Sequence, residues 1–180
     1  MPIRRRRSGE SGLRAIHWHR IGAAQSGRAQ HPARHNREMA ADSSPNAIDH
    51  VGLAVADLAA SVTFYKRLLG IEPNHREVVP QDGVEAVFFE FGGASLELLS
   101  STDPSSSVGR FLERRGPGLH HLGYLVPDLA AELERWAGWG AELVDLRPRK
   151  GARGRLVAFV HPKSAGGVLT ELCQLQDRDR

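Results

Sequence analysis

Apolar and polar residues alternate along two short segments of the chain, Ile48–Val55 and Leu119–Val126. A period of two predicts strands that bury one face. Each segment is followed by a helical pattern that begins after an aspartate, Asp57 or Asp128, which is placed to cap the first turn. We therefore expect two strand–helix units, each with one apolar helix face against its strand.

Three further strand-like runs follow each predicted helix. They are Asn74–Val79, Val84–Phe91 and Ser95–Leu99 in the first half, and Glu142–Arg147, Arg155–His161 and Val168–Gln174 in the second. Each half is thus a βαβββ module, module 1 over 47–101 and module 2 over 118–174, with a short helix expected around VGRFLERR between them. The predicted fold class is α+β, a single domain over 47–175 whose repeated modules share a partly open, barrel-like sheet.

The strands that open the two modules carry the same phrase. AIDHVGLAVADLAA, from residue 47, and GLHHLGYLVPDLAA, from residue 118, are identical at seven positions, which include His50 with His121 and Gly52 with Gly123. Strand alternation places the apolar residues of this phrase toward the helix and both histidines on the opposite face. By the same alternation His120 points away from that face.

A glutamate occupies the same place in the last strand of each module, Glu97 in module 1 and Glu171 in module 2. A carboxylate between large apolar neighbours is costly to bury unless it is paired, protonated or bound to metal. A pseudo-twofold axis would bring His50, Glu97, His121 and Glu171 to one centre. Two imidazoles and two carboxylates suit one divalent first-row cation. The competing interpretation is that these are edge-strand residues that face solvent.

The composition excludes several classes of protein. The chain has 180 residues, 41% hydrophobic and 25% charged, which is ordinary for a soluble globular protein. It has no apolar run of about 20 residues, the length of a membrane span, and its single cysteine, Cys173, excludes an internal disulfide. The net charge of +3 comes from residues 1–38, which hold nine arginines and two glutamates. We therefore expect neither a membrane nor a nucleic-acid partner.

The two ends of the chain are expected to lie outside the folded domain. Residues 1–46 predict a disordered basic extension, and residues 176–180 a charged tail. The preferred explanation of the extension is that translation begins at Met39. A mitochondrial transit peptide and a basic arm for an anionic partner are the alternatives. The expected location is the cytoplasm, or the mitochondrial matrix if the extension is a transit peptide.

Residues 48–174 resemble the vicinal oxygen chelate (glyoxalase/bleomycin resistance/dioxygenase) superfamily. The stretches RFLERRGPGLHHLGYLVPDL and PRKGARGRLVAFVHPKSAGGVLTELCQ resemble its methylmalonyl-CoA epimerases, and HPKSAGGVLTEL is the most specific piece. The resemblance implies a metal-dependent isomerase that interconverts (R)- and (S)-methylmalonyl-CoA, and a homodimer. It matches His50, His121 and Glu171 to metal ligands. The fourth ligand is glutamine or glutamate in that family and is Glu97 here.

The expected cofactor is one divalent ion, Co, Zn, Mn, Ni or Mg. The hypothesis for the reaction is a two-base 1,1-proton transfer through an enediolate, with Glu97 and Glu171 as the bases from opposite modules. Lys163 and Ser164, in the HPKSAGG turn, are candidates for binding the substrate carboxylate or the CoA phosphates. The equally weighted alternative is that these two residues only shape a hairpin.

Two other functions stay open at this stage. The set of two histidines and two glutamates is also that of bacterial glyoxalase I, so a lactoylglutathione lyase would use the same ligands. A non-catalytic ligand-binding protein of the same fold is the second alternative. Such proteins generally lack the metal ligands, whereas this chain has all four.

Overall fold

The computed structural model describes residues 44–176, in which eight strands and three helices form one α+β unit. The elements are β1 Ala47–Ala54, α1 Leu58–Leu69, β2 His75–Val79, β3 Val84–Phe91, β4 Ala94–Ser101, α2 Ser107–Arg115, β5 Gly118–Leu125, α3 Leu129–Gly138, β6 Arg149–Lys150, β7 Leu156–Val160 and β8 Leu169–Gln174. The expectations for the basic extension and the charged tail fall outside the described residues, except at the inner ends of both segments.

The eight strands form one curled sheet in the order β2-β3-β4-β1-β5-β8-β7-β6. β1 pairs parallel to β4 and antiparallel to β5, and β5 pairs parallel to β8. The two modules therefore meet where β1 pairs with β5, and each contributes its first and last strands to the middle of the sheet. The predicted α+β architecture, a half-barrel of two repeated modules, is confirmed.

An aspartate caps the first turn of each long helix, α1 and α3. Asp57 accepts a hydrogen bond from the backbone N–H of Ala60 at 2.9 Å, and Asp128 accepts one from Ala131 at 3.0 Å. Such caps satisfy backbone donors that a helix start leaves unpaired. Both helices consequently begin where the sequence predicted.

Each helix buries the apolar face that its period predicted. The face of α1 packs on the sheet of module 1 through Leu58, Val62, Tyr65 and Leu69. The face of α3 packs on module 2 through Leu129, Leu133 and Trp136. Burial of these side chains contributes about 1.5–3 kcal/mol for each one that becomes fully covered. α1 and α3 thus cover the outer face, whereas α2 packs through Val108 on the concave face and leaves the rest of that face for a site.

One predicted strand, Glu142–Arg147, is wrong. Only Leu143 of this run forms a ladder bridge, to Val160, and the strand that pairs with β7 on the side away from β8 is instead the two-residue β6. The side chain of Asp145 accepts the backbone N–H of Phe159 at 3.0 Å, which replaces a ladder bond, and Pro148 has no N–H to donate. The chain therefore leaves the sheet between Leu143 and β6.

None of the helices within residues 44–176 has the length and apolar composition that a bilayer crossing requires.

Candidate active site

Two rows of residues cross the sheet where β1 pairs with β5. In the first row Glu97 of β4 lies beside Gly52 of β1, which lies beside His121 of β5. In the second row His50 lies beside Gly123, which lies beside Glu171 of β8. Each row therefore consists of one imidazole, one glycine and one carboxylate, and the two rows run in opposite senses.

The glycine in each row makes room for a histidine ring. A Cβ atom on Gly52 would lie within 3.0 Å of three atoms of the His121 ring, and one on Gly123 would do the same to the ring of His50. Because the glycines have no side chain, each ring lies flat across the neighbouring strand. The two rings then meet edge to face, with 2.7 Å between the Nε2 atoms of His50 and His121.

The carboxylates complete a buried group of four side chains. Oε2 of Glu171 lies 3.0 Å from Nε2 of His50 and 3.1 Å from Nε2 of His121. Oε2 of Glu97 is 3.2 Å from His121 and 3.6 Å from His50. All four residues are buried. The structure thus brings the four predicted residues to one point on the concave face, with Glu97 the most loosely held of them.

A divalent cation fits this group. Donor atoms that each lie about 2.1 Å from one ion are about 3 Å apart. The separations among His50, His121 and Glu171 run from 2.7 to 3.1 Å, and Glu97 lies 3.2 and 3.6 Å from the two histidines. Two buried carboxylates carry two negative charges, which a divalent ion would balance. Nitrogen and oxygen donors without a thiolate select the first-row divalent ions.

His50, His121 and Glu171 shift one another's pKa values. Burial by itself would lower the pKa of His50 and of His121, but the adjacent carboxylates, above all Glu171, outweigh it and raise both pKa values. Burial would likewise raise the pKa of Glu171, yet the two imidazoles hold that pKa far below its usual range. Without a cation, protonation of His50 and His121 is therefore favoured, and their positive charge balances the carboxylate of Glu171.

The raised pKa values of His50 and His121 predict how the stability of the metal-free protein depends on pH. A histidine whose pKa is raised by folding stabilises the fold below its unfolded pKa of about 6.5, and loses that contribution as the pH rises through the raised value. We expect the free energy of unfolding of chelator-treated protein to fall above about pH 6.5, by up to about 1.4 kcal/mol per pH unit for each such group. Urea denaturation at several pH values measures this, and an unchanged stability across that range would contradict it.

His120 does not point away from the site, so that prediction is wrong. The register between β1 and β5 slips between the pairs Gly52–His121 and Leu53–Leu119, which leaves His120 as one extra residue in β5. Such a bulge turns two consecutive side chains toward the same side of a sheet. His120 consequently lies beside His121 and lines the cavity next to it. Burial lowers the pKa of His120 to about 4, helped by the nearby His121.

A cavity of about 460 Å³, part of it open to solvent, lies beside Glu97, His121 and Glu171. One wall is apolar and belongs mainly to module 1, and its side chains are Val79, Val84, Leu99, Val108 and Ala152. Asp82 and Arg149 stand at the polar part of the wall and form an ion pair of 3.1 Å between the modules. The apolar wall was not recognised from the sequence, since its residues come from five separate segments and alternate as ordinary core residues do.

Lys163 and Ser164 lie elsewhere. They form a short 3₁₀ turn, Pro162–Ser164, in which Ser164 Oγ accepts the backbone N–H of Glu142 at 2.8 Å and Lys163 Nζ is 3.8 Å from the Glu142 carboxylate. Neither residue is among those that line the cavity. Their contacts are those of the hairpin-shaping alternative, and substrate binding by them stays a prediction.

Comparisons with known proteins agree with the geometry. Residues 49–159 match the family profile described as Glyoxalase/Bleomycin resistance protein/Dioxygenase superfamily. The uncharacterised protein YqjC of Bacillus subtilis (strain 168) is 38% identical over 129 residues, which is 72% of this chain and 92% of the relative. The ethylmalonyl-CoA/methylmalonyl-CoA epimerase of Cereibacter sphaeroides is 35% identical over 130 residues, 71% of this chain and 97% of the relative.

A solved structure gives the same picture in three dimensions. A variant of the Streptomyces coelicolor methylmalonyl-CoA epimerase, in complex with 2-nitronate-propionyl-CoA, has a TM-score of 0.72 and 35% sequence identity to this chain. The match covers 74% of this chain and 97% of that one. These findings confirm the resemblance that was drawn from the sequence.

Proposed function

The chain belongs to the glyoxalase/bleomycin resistance protein/dioxygenase superfamily, and from this membership we propose that it is a divalent-metal-dependent epimerase that interconverts (R)- and (S)-methylmalonyl-CoA. One observation carries the proposal. Two buried glutamates, one from each module, meet two histidines beside a cavity with one apolar wall. Epimerisation is the reaction that requires two bases on opposite sides of one carbon.

His50, His121, Glu171 and Glu97 are the residues that would hold the cation. When bound there, it would supply a Lewis acid that stabilises negative charge developing on the substrate's carbonyl and carboxylate oxygens. His50 and His121 are the fixed part of this set, because each ring is held over a glycine of the other module. Glu97 lies farther from the two histidine nitrogens than Glu171 does, and is therefore the carboxylate that would leave the cation most easily to act as a base.

The proton transfer is proposed to use both glutamates. The C2 hydrogen of methylmalonyl-CoA lies between a thioester and a carboxylate, so its removal leaves an enediolate whose charge spreads onto oxygen. One glutamate, in its ionised form, takes the proton as the C2–H bond breaks, and the other, in its protonated form, gives its proton to the opposite face of C2. The two glutamates end with their protonation states exchanged. Because Glu97 comes from β4 and Glu171 from β8, on either side of the β1–β5 pair, they can flank one carbon. Nothing else is consumed or released.

The apolar wall supports this chemistry in two ways. The wall is formed by hydrocarbon side chains, among them Val84, Leu99 and Val108, which have no polar atoms. Such a wall suits a methyl substituent on C2 better than a second polar group. These side chains also keep water from the carbanionic carbon, which strengthens the electrostatic interactions of the buried glutamates. A coenzyme A thioester is the substrate class in the names of the epimerase relatives, which supports the same choice.

A glyoxalase I-type lyase would use the same four ligands, so an assay must distinguish lyase activity from epimerisation. Supplied with one epimer of methylmalonyl-CoA in D2O, the protein is expected to produce the other epimer with deuterium at C2. The same preparation is expected not to convert the glutathione hemithioacetal of methylglyoxal. Conversion of the hemithioacetal without epimerisation would overturn the proposal in favour of the lyase.

A further inference from the structure

Each of the two histidines at the centre follows a residue that bulges out of its strand. Between the pairs Ile48–Tyr124 and His50–Gly123 the register of β1 gains one residue, Asp49, just as β5 gains His120. Asp49 and His120 are equivalent positions of the two modules, and both are buried. The bulge brings the side chain of each toward the ring of the histidine that follows it.

The contacts made by these two residues are equivalent in place but different in chemistry. Asp49 Oδ2 lies 2.8 Å from Nδ1 of His50, and its other oxygen, Oδ1, accepts a hydrogen bond from Arg155. His120 Nδ1 lies 2.9 Å from Nδ1 of His121. In both cases the ring nitrogen toward the centre is Nε2, and the nitrogen toward the bulge residue is Nδ1.

This arrangement fixes the tautomer of each ring. An imidazole that offers its Nε2 lone pair to a cation carries its proton on Nδ1, and that N–H needs an acceptor when it is buried. A carboxylate anchored by a guanidinium is a charged acceptor, whereas a neutral imidazole nitrogen is an uncharged one. Hydrogen bonds to a charged group are about twice as strong as neutral ones.

We propose that Asp49 and His120 are positioning residues for the two histidine ligands of the metal centre. Asp49, held by Arg155, has the larger effect on metal affinity. The proposal rests on the metal site of the proposed function. It assigns the centre an asymmetry that the repeated sequence conceals: His50 becomes the stronger and better oriented donor, and His121 the weaker. Partners of this kind typically change metal affinity by about 10- to 100-fold.

The test measures Co2+ binding to metal-free protein by calorimetric titration, together with the Co2+ absorption spectrum. Asp49→Asn is expected to lower the affinity by about 10- to 100-fold and to shift the spectrum. His120→Leu is expected to lower it less than Asp49→Asn does. His120→Asn, which restores an acceptor oxygen, is expected to bind more tightly than His120→Leu.

The matched control is a buried carboxylate in another part of the fold. Glu132 of α3 is fully buried and accepts hydrogen bonds from Arg135 at 2.7 Å and from Trp136 at 2.6 Å. Glu132→Gln should lower the thermal stability and leave Co2+ affinity unchanged. If Asp49→Asn does not fold, Arg155→Gln, which leaves the Asp49 carboxylate without its anchor, is expected to give a smaller fall in affinity.

Three results would overturn the inference: wild-type Co2+ affinity in Asp49→Asn or, where that variant does not fold, in Arg155→Gln; a larger loss in His120→Leu than in Asp49→Asn; or an equal loss in Glu132→Gln. These results differ from a failure of the proposed function, in which the wild-type protein itself would bind no divalent cation. The affinity measurement therefore separates the two claims without use of the enzymatic assay.

Discussion

Replacing Glu171 with glutamine is expected to lower the rate of epimerisation by about 10²- to 10⁴-fold, the usual contribution of a positioned general acid or base. The amide keeps an oxygen for the cation but has no carboxylate to take or return a proton. Metal content and thermal stability, measured on the same sample, show whether the site is still assembled. A variant that binds metal and epimerises at the wild-type rate would show that Glu171 is not one of the two bases.

Glu97→Gln is the matched partner of that experiment. If the two glutamates act on opposite faces of C2, each single variant loses epimerisation but keeps deuterium exchange with one epimer. The epimer that still exchanges should differ between Glu97→Gln and Glu171→Gln, because the remaining base is on the other side. Full epimerisation by Glu97→Gln would show that Glu97 serves only as a ligand.

Replacing Gly123 with alanine is expected to destroy the metal centre through a single added methyl group. The new Cβ would overlap the ring of His50, which is buried against β5. The ring must turn, and its Nε2 then leaves the group of four donor atoms. We expect Co2+ affinity to fall by at least about 100-fold, since a ligand is lost as well as its orientation, and epimerisation to fall with it.

Gly118→Ala is the control for that substitution. Gly118 lies in the same strand as Gly123, and a Cβ atom built there meets nothing within 4 Å. The variant should bind Co2+ and fold as the wild-type protein does. Normal metal binding by Gly123→Ala, or an equal loss in Gly118→Ala, would contradict the role of the glycine rows.

The parts of this molecule that the sequence predicted are those set by local chemistry. Strand alternation gave the helix-facing sides of β1 and β5, and the caps at Asp57 and Asp128 gave the helix starts. The pairing of His50 with His121, and of Glu97 with Glu171, was visible because the chain repeats itself. Duplication turned four separate polar residues into a hypothesis about one centre.

The parts that were missed depend on register between strands. A bulge adds one residue to a ladder and reverses the alternation beyond it, and no local pattern marks where it occurs. This is why strand alternation predicts the wrong side for His120 and gives no role to Asp49. The strand expected at Glu142–Arg147 failed for a related reason, because the Asp145 side chain takes a backbone donor that the strand would have used.

Exchange of the C2 hydrogen of methylmalonyl-CoA with solvent deuterium is the direct test of metal-dependent epimerisation by this protein. Wild-type protein is measured as purified, after removal of metal by a chelator, and after Co2+ is restored. We expect exchange and epimerisation in the first sample, loss of both in the second and recovery of both in the third. Exchange that continues at the same rate in the chelated protein, or no exchange in any sample, would contradict a metal-dependent epimerase built on His50, Glu97, His121 and Glu171.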